Sequence, residues 1–520
     1  MSRINTNVPS LIAQRVLTQN RDALNQSLQR LSTGLRINSG KDDPSGLIAS
    51  ESLRAQATGL NQAVTNADRA DQVVNIAEGG LEEVSSLLNQ VQGLVTQTAN
   101  TAGLSAEERK ANQLQLDSIL QTIDRVSSSV SFQGSKLLNG NYDFTTASVS
   151  GQVKSFKVNT AKLNFGSTRG VDVVVTASAQ VAGYLLSFGA NNLDLGGAGA
   201  SNGANKSFVL EIAGAKGARE LSFASGTSLA SVAAAINSYT DITGVKAKVS
   251  GTTAVRLESS EFGHDQFVSV KVTDDGSINS IAKGIYSLQT QNASAADTSS
   301  VTTFSSAANT VKDYGQDVRA TINGIAATSK GTTVHINTDF LDVEVNLDYN
   351  TTSSTANAAK LGALSAFSIT GGGADFQLAS RVDISGKVSL GIGNIATREI
   401  GRFIDSSGAA NFLSDLSSGK ALNIADGDVT SAQQVVQNAI NEVSSLRGRL
   451  GAFQQNTVGA SIQSLNVAVE NTTAAQSAIR DVDFASETAN LTRSQILVSS
   501  ATQILGLANQ QPQSALQLLG

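Results

Sequence analysis

The 520-residue chain carries 37 Lys and Arg against 43 Asp and Glu, a formal net charge of −6 without the basic face that nucleic-acid binding requires. Zero Cys excludes a disulfide scaffold, a thiol nucleophile, an iron–sulfur cluster and a cysteine-ligated zinc site. Two histidines leave little for imidazole chemistry, and at roughly 150 residues per domain the length predicts about three or four domains.

No stretch approaches about 18 consecutive apolar residues, so no membrane insertion is expected. The opening run MSRINTNVPSLIAQRVLTQN lacks an apolar core and an A-x-A site, so it does not read as a Sec signal peptide. Gln numbers 14 in residues 1–140 and 13 in 421–520, but 7 in the 280 residues between; Phe runs the other way, with 14 of 17 in 141–420. Gln with Ala, Leu and Arg suits helices, whereas Phe, Val, Thr and Gly suit strands and turns. The predicted class is mixed and mainly α: long paired helices at the two chain ends around a β-rich insert.

In chain order, Pro9 and Ser10 sit where a helix can begin. Leu24, Leu28, Leu31 and Leu35 follow at spacings of 4, 3 and 4, a coiled-coil seam. Asp42 and Asp43 before Pro44 read as a polar turn between helices rather than a metal site, because no third carboxylate is near. Val73, Ile76, Leu81, Val84, Leu87, Leu88, Val91 and Leu94 continue the helical rhythm, and so do Leu114, Leu116, Ile119, Ile123 and Val126 after a loop at 102–105.

The middle alternates. Phe208, Leu210 and Ile212, then Val245, Ala247 and Val249, then Val268, Val270 and Val272 predict strands, with one short helix over 228–239. A second block, ATINGIAATSKGTTVHI, precedes Leu341, Val343, Val345 and Leu347 on alternate positions. Gly-, Ala- and Ser-rich stretches at 195–206 and 292–309 read as linkers. GIGNIA at 391–396 matches part of a dinucleotide fingerprint but lacks the helix that must follow, and reads as a turn. His264 and His335 lie in separate strand-like blocks with no partner cluster and read as surface or turn residues. N-x-S/T triplets begin at Asn25, Asn205, Asn292, Asn350, Asn471 and Asn490, as chance allows in a chain this rich in Ser and Thr. Near the end, Asp481 and Asp483 mark a helix start. Two adjacent heptad rows follow, Leu491, Val498 and Leu505 beside Leu497, Ala501, Ile504 and Ala508. No catalytic constellation emerges and no cofactor is expected.

The ends carry longer motifs. INTNVPSLIAQRVLTQN, LQRLSTGLRINSGKDDPSGLIASESLRAQ, DRVSSSVSFQGSKLLNG and SAIRDVDFASETANLTRSQILVSSATQILGLANQQPQSALQLLG resemble the bacterial flagellins over about 140 residues at the start and roughly 150 at the end. The two strand blocks near 207–272 and 320–347 look like the repeat inserted in flagellins and filament-cap proteins. The resemblance implies that 1–42 with 472–520 form an inner helical pair in the filament core. By the same reading, 43–145 with 366–471 form a helical shell, and 146–365 form an exposed β-rich insert of one or two subdomains.

The implied function is a self-assembling subunit of the extracellular flagellar filament, not an enzyme. Its implied partners are further copies in a helical homopolymer, hook–filament junction and cap proteins, an export chaperone and the flagellar type III export apparatus. Assembly is expected on Leu24, Leu28, Leu31, Leu35, Leu491, Leu497, Val498, Ile504 and Leu505. Some flagellins are sensed by a Toll-like receptor through a patch that aligns with Asn89, Gln90, Leu94 and Gln115. The recognised pattern has Arg at the place of Gln90 and Glu at that of Gln115, so weak sensing is expected. The apolar ending Leu516, Leu518 and Leu519 is retained, but the usual final Arg is Gly520 here. A junction protein shares the terminal helices, although the closeness of the C-terminal run favours flagellin. A protease-bearing insert lacks its H-E-x-x-H motif here, and a secreted adhesin would explain the middle but not the ends.

Overall fold

The computed structural model describes residues 6–517 except 101, 165, 196–205, 279–282, 290–295, 348–360 and 405–408. Asn205, Asn292 and Asn350, most of the 195–206 stretch, and Leu518, Leu519 and Gly520 therefore lie outside the described residues.

Helices occupy both ends: α1 (Val8–Thr33), α2 (Pro44–Thr98) and α3 (Ala106–Ser129), then, after the strands, α6 (Val429–Ala452), α7 (Ala460–Arg480) and α8 (Phe484–Gln517); two short helices in the middle, α4 (Leu229–Asn237) and α5 (Thr240–Thr243), interrupt the strands. Starts follow from local chemistry. Asn7 accepts a hydrogen bond from the Ser10 amide at the head of α1. Asp43 accepts from the Gly46 amide and the Ser45 hydroxyl, each at 2.9 Å, so the pair read as a turn also caps α2. Ser105 and Glu108 form a reciprocal capping box on α3. Between α6 and α7 the helix widens into a π-helical stretch, Phe453–Gly459.

The chain divides into two compact units. The first comprises Met1–Leu81, Phe376–Val388 and Arg447–Gly520. Here α1 and α8 lie antiparallel, and the segments joining α1 to α2 and α7 to α8 pair with each other. The Arg36 amide donates to the Arg480 carbonyl at 2.7 Å, and the Val482 amide to the Gly34 carbonyl at 3.0 Å. Arg480 reaches Glu51 at 2.7 Å. Leu60 and Ala63 of α2 bury against Leu465 of α7.

The second unit, Glu82–Asp375 and Ser389–Leu446, holds a helical part and two β modules. Val84, Leu88, Val91 and Val95 of α2, Leu116 and Ile123 of α3, and Val435, Val436 and Ala439 of α6 are fully buried. Asp124 accepts from the amide and hydroxyl of Thr397, and Gln113 accepts from the Ile424 amide, tying 390–425 to α3.

Both modules are antiparallel double sheets. In the first, sheet order is Ile325–Ala326, Arg319–Ile322, Arg169–Ala177, Gly362–Gly372, Phe144–Ala147 in one layer and Thr328–Lys330, Thr333–Asn337, Leu341–Leu347, Val153–Ala161 in the other. Leu341, Val343, Val345 and Leu347 all face its core, as alternation predicts. The second module is inserted between strands Arg169–Ala177 and Arg319–Ile322, which pair across the insertion. Its layers are Ala296–Thr303, Gly284–Leu288, Gly183–Ser187, Ala254–Ser259, Val245–Ser250, and Val311–Tyr314, Phe267–Asp275, Ser207–Gly214, Gly217–Ala224, with α4 packed on its core.

The linker reading of 292–309 is corrected. Ala296–Thr303 is an edge strand, and Phe304 is fully buried between Phe188 and Phe208, at ring separations of 5.1 Å from each. Small polar residues around a single aromatic hid it. GIGNIA follows strand Lys387–Leu390 as irregular backbone that buries Ile392 and Ile395, with the turn falling after it at 397–399 and no helix following. The histidines lie as expected, His264 in an exposed turn and His335 half-exposed on a strand, but the absence of partners is corrected: His335 pairs with Asp342 of the adjacent hairpin strand at 2.9 Å, and His264 stands between Asp265 and Asp317.

Candidate assembly interface

The α1–α8 pair is built on two heptad rows. On α1 the inward positions are Ser10, Ala13, Leu17, Leu24, Ser27 and Leu31; on α8 they are Glu487, Leu491, Val498, Ala501, Leu505 and Ala508. Each of these is buried or half-buried. The alternating spacing of 3 and 4 keeps one seam facing the partner helix. Much of that seam is small: Ser10, Ala13, Ser27, Ala501 and Ala508. Small residues let two helix backbones approach closely, and Leu17, Leu24, Leu31, Leu491, Val498 and Leu505 fill the rest of the seam.

Polar contacts fix the register at both ends. The Asn7 side-chain amide donates to the Ala508 carbonyl at 2.7 Å, and the Ser10 hydroxyl to Asn509 Oδ1 at 2.7 Å. At the other end Arg30 meets the buried Glu487 carboxylate at 3.6 Å. Asp483 caps α8 by accepting from the Ala485 and Ser486 amides.

A second set of large apolar side chains turns outward. Leu28 is 47% exposed, Ile504 58%, Leu507 65% and Ile496 61%. Val8, Leu11, Ile12, Val16 and Leu497 are exposed with them. Val8, Ile12, Ala13 and Val16 on one helix and Leu497, Ala501 and Ile504 on the other line an open groove of about 410 Å³ whose lining is almost wholly apolar. Scattered exposed leucines are ordinary, but a continuous apolar strip along a helix pair marks a surface built to be covered.

The residues expected for assembly thus fall into two sets. Leu24, Leu31, Leu491, Val498 and Leu505 lie on the inner seam, while Leu28, Leu497 and Ile504 lie outside it; Leu35 is half-buried beyond the end of α1, beside its bridge to Asp481. Spacing alone puts Leu28 on the seam, yet Ser27 holds that place. A serine gives no hydrophobic signal, so the leucine row was the more visible. Val8, Leu11, Ile12, Val16, Ile496 and Leu507 were missed, although 8, 12 and 16 already stand four apart. In the second unit Asn89, Gln90 and Gln115 are exposed, whereas Leu94 is buried in the helical core.

Comparison with known proteins matches this layout. The bacterial flagellin N-terminal helical region matches residues 4–143, the bacterial flagellin C-terminal helical region 433–519, and the flagellin hook IN motif 207–261. The B-type flagellin of Pseudomonas aeruginosa is 30% identical over 530 residues, covering 99% of both chains. The chain belongs to the bacterial flagellins. Flagellin B of Helicobacter pylori is 28% identical over 542 residues, again covering 99% of each. The solved structure of FliC from Burkholderia pseudomallei is 14% identical and covers 74% of this chain and 99% of that one, at a TM-score of 0.23. This flagellin is a structural subunit of the flagellar filament, and the hook motif falls on its second β module. No helix among the described residues is long and apolar enough to cross a membrane.

Proposed function

We propose that this flagellin polymerises through the outward apolar rows of α1 and α8, with the inner seam holding the two helices in register. The observation that carries this reading is the continuous outward strip of large apolar side chains, Val8, Ile12, Val16, Leu497, Ile504 and Leu507, left uncovered beside a seam already filled by Leu, Val and small residues. Identical subunits related by a rotation that does not close stack into an open helical filament. Burying an exposed Leu or Ile against a neighbour contributes about 1.5–3 kcal/mol each, so a few per subunit suffice to drive growth. A lone helix pair that leaves an apolar strip in water is marginal, so both termini gain amide protection on polymerisation.

In the assembled state, 1–42 with 472–520 form the filament core, 43–145 with 366–471 the surrounding helical shell, and 146–365 the solvent-facing β-rich part. The work is mechanical, with no reaction assigned to any residue. The subunit leaves the cell through the flagellar type III export apparatus with an export chaperone, and acts outside the cell. It meets hook–filament junction proteins at the base of the filament and cap proteins at its tip. Weak sensing by a Toll-like receptor follows from Gln90 and Gln115, which lack the charge of the recognised pattern; a strong response in a receptor reporter assay would overturn it.

Adding short filament seeds and salt to purified monomer, followed by electron microscopy, tests the main reading. Long uniform filaments support it. Monomers that never lengthen seeds yet bind hook ends would instead make the chain a junction protein.

A further inference from the structure

The second β module carries two like-charged cross-strand pairs of opposite sign, one on each outer face. In the five-stranded layer Lys248 of strand Val245–Ser250 stands directly opposite Arg256 of strand Ala254–Ser259. In the four-stranded layer Glu211 of strand Ser207–Gly214 stands directly opposite Glu220 of strand Gly217–Ala224. Core residues alternate with both pairs: Ala247, Val255 and Leu257 beside the cations, Leu210 and Ile212 beside Glu211. All four charges therefore point away from the core. Like charges directly opposite each other destabilise a sheet unless a group of the other sign meets them.

The module does little to balance them itself. Over the two strands of the first pair, Lys246, Lys248 and Arg256 share the face with one carboxylate, Glu258, which Arg256 already meets at 3.0 Å. On the other face Lys271 stands across from Glu211, and the exposed Glu220 has no cation opposite it. Lys312, at the far edge of that layer, is folded over the Phe267 and Tyr314 rings at 3.7 and 4.6 Å. Both pairs sit on the same side of the sandwich, because α5 packs against strands Val245–Ser250 and Gly217–Ala224 alike. Asn237 covers the Val245–Ser250 edge: its Oδ1 accepts from the Ala247 amide at 2.7 Å and its Nδ2 donates to the Ala247 carbonyl at 2.9 Å. The faces, rather than this edge, remain open. The cationic row runs on into half-buried Leu185 and Tyr286, and Val209 and Ala213 flank the acidic one.

We infer that second modules of neighbouring copies stack head to tail, the Lys248–Arg256 face of one on the Glu211–Glu220 face of the next. This rests on the reading of the chain as a polymerising subunit and adds a contact separate from that of the helices. The two faces point in opposite directions on one sandwich, so the contact does not close on itself and can repeat along an open filament. Because both pairs lie on one side of the sandwich, a copy set against the face with little rotation brings anions over cations. Pairing a face with its own kind would set like charges against each other, which costs affinity.

The absence of Cys allows a clean test on the full-length chain. Ser250→Cys marks the cationic face and Ser222→Cys the acidic one, each two residues from its charged pair on the same strand. The two single variants are mixed, grown on filament seeds and treated with a flexible bismaleimide. The expected product is the mixed dimer, with little product from either variant alone. Lys248→Glu on the Ser250→Cys chain should lower the mixed-dimer yield about tenfold, and Glu220→Lys on the Ser222→Cys chain should restore it. Lys248 is exposed, so its reversal leaves the folded module in place. Normal filaments with no mixed dimer, with same-variant dimers in equal yield, or with a yield indifferent to Lys248→Glu would overturn the stacking and leave the assembly reading intact. If seeds never lengthen, the assembly reading fails by itself and a concentrated soluble mixture decides: mixed dimers sustain the stacking, and their absence overturns it.

Discussion

Arg30 and Glu487 face each other at 3.6 Å across the α1–α8 seam, the only charged pair seated inside it among the described residues, with 8% of the Glu487 side chain exposed and 26% of the Arg30 side chain. Removing the cation leaves a carboxylate buried without its partner, which costs more than the pair contributes by existing. Arg30→Ala should destabilise the helix pair by about 1–3 kcal/mol, whereas Glu487→Gln should cost less because the amide still fills the site. Thermal unfolding followed by far-ultraviolet circular dichroism reads both. Equal losses would mean that the carboxylate charge is not what the seam has to satisfy.

Ala501 tests the small-residue seam. Ala501→Leu adds bulk where the two backbones approach, with an expected loss of about 1–3 kcal/mol from overpacking. The same enlargement on the outer face, Ser500→Leu beside the groove, should leave monomer stability nearly unchanged, because that position is exposed. Similar losses from the two variants, in parallel melts, would place the seam elsewhere.

Phe304 separates a linker from a core. Its ring is fully buried against Phe188 and Phe208, so Phe304→Ala should destabilise the second β module by about 3–5 kcal/mol. Amide exchange resolved by module is the suitable readout. An unaltered exchange rate in strands Phe267–Asp275 and Ser207–Gly214 would restore the linker reading.

Asp313 gives a pH dependence of known sign. Burial raises its pKa, and hydrogen bonds from the Gly183 and Tyr314 amides only partly offset this. A carboxyl whose folded pKa is raised contributes stability that is fully present below its ordinary value of 3.8 and is lost as pH rises through the folded value. Asp313→Asn keeps an acceptor for the Gly183 amide without the charge. It should therefore stabilise the second module at neutral pH and make no difference in acid below the ordinary carboxyl range. Module-resolved amide exchange at the two pH values measures this; a gain that persists in acid would assign the effect to something other than ionisation.

Much of this architecture was legible in the sequence, for reasons that particular residues make plain. Alternation at Leu341, Val343, Val345 and Leu347 identified a strand because every inward position is a large apolar residue. Heptad spacing at Leu491, Val498 and Leu505 identified a seam for the same reason. The errors came where the side chain that matters is small or solitary. Ser27 and Ala13 shape the seam without any hydrophobic signal, so Leu28 looked inward when it faces out. Phe304 sits alone among Ser, Thr and Ala. The nested insertion was beyond pattern reading altogether, since Ala177 and Arg319 pair across a whole module that no local periodicity spans. The His264 cluster was invisible for a similar reason, because Asp317 lies 53 residues away.

If the outward rows rather than the inner seam drive growth, seeded elongation should separate the two in the Leu497→Asp, Ile504→Asp double variant. Both side chains are exposed in the subunit, so helicity and melting of the monomer should match the parent. Asp at either position forfeits the roughly 1.5–3 kcal/mol that burial of the apolar side chain would contribute, and adds a charge to be desolvated. Seeds should fail to lengthen in the presence of a fully folded variant. Filaments growing at the parental rate would contradict that role of the outward rows.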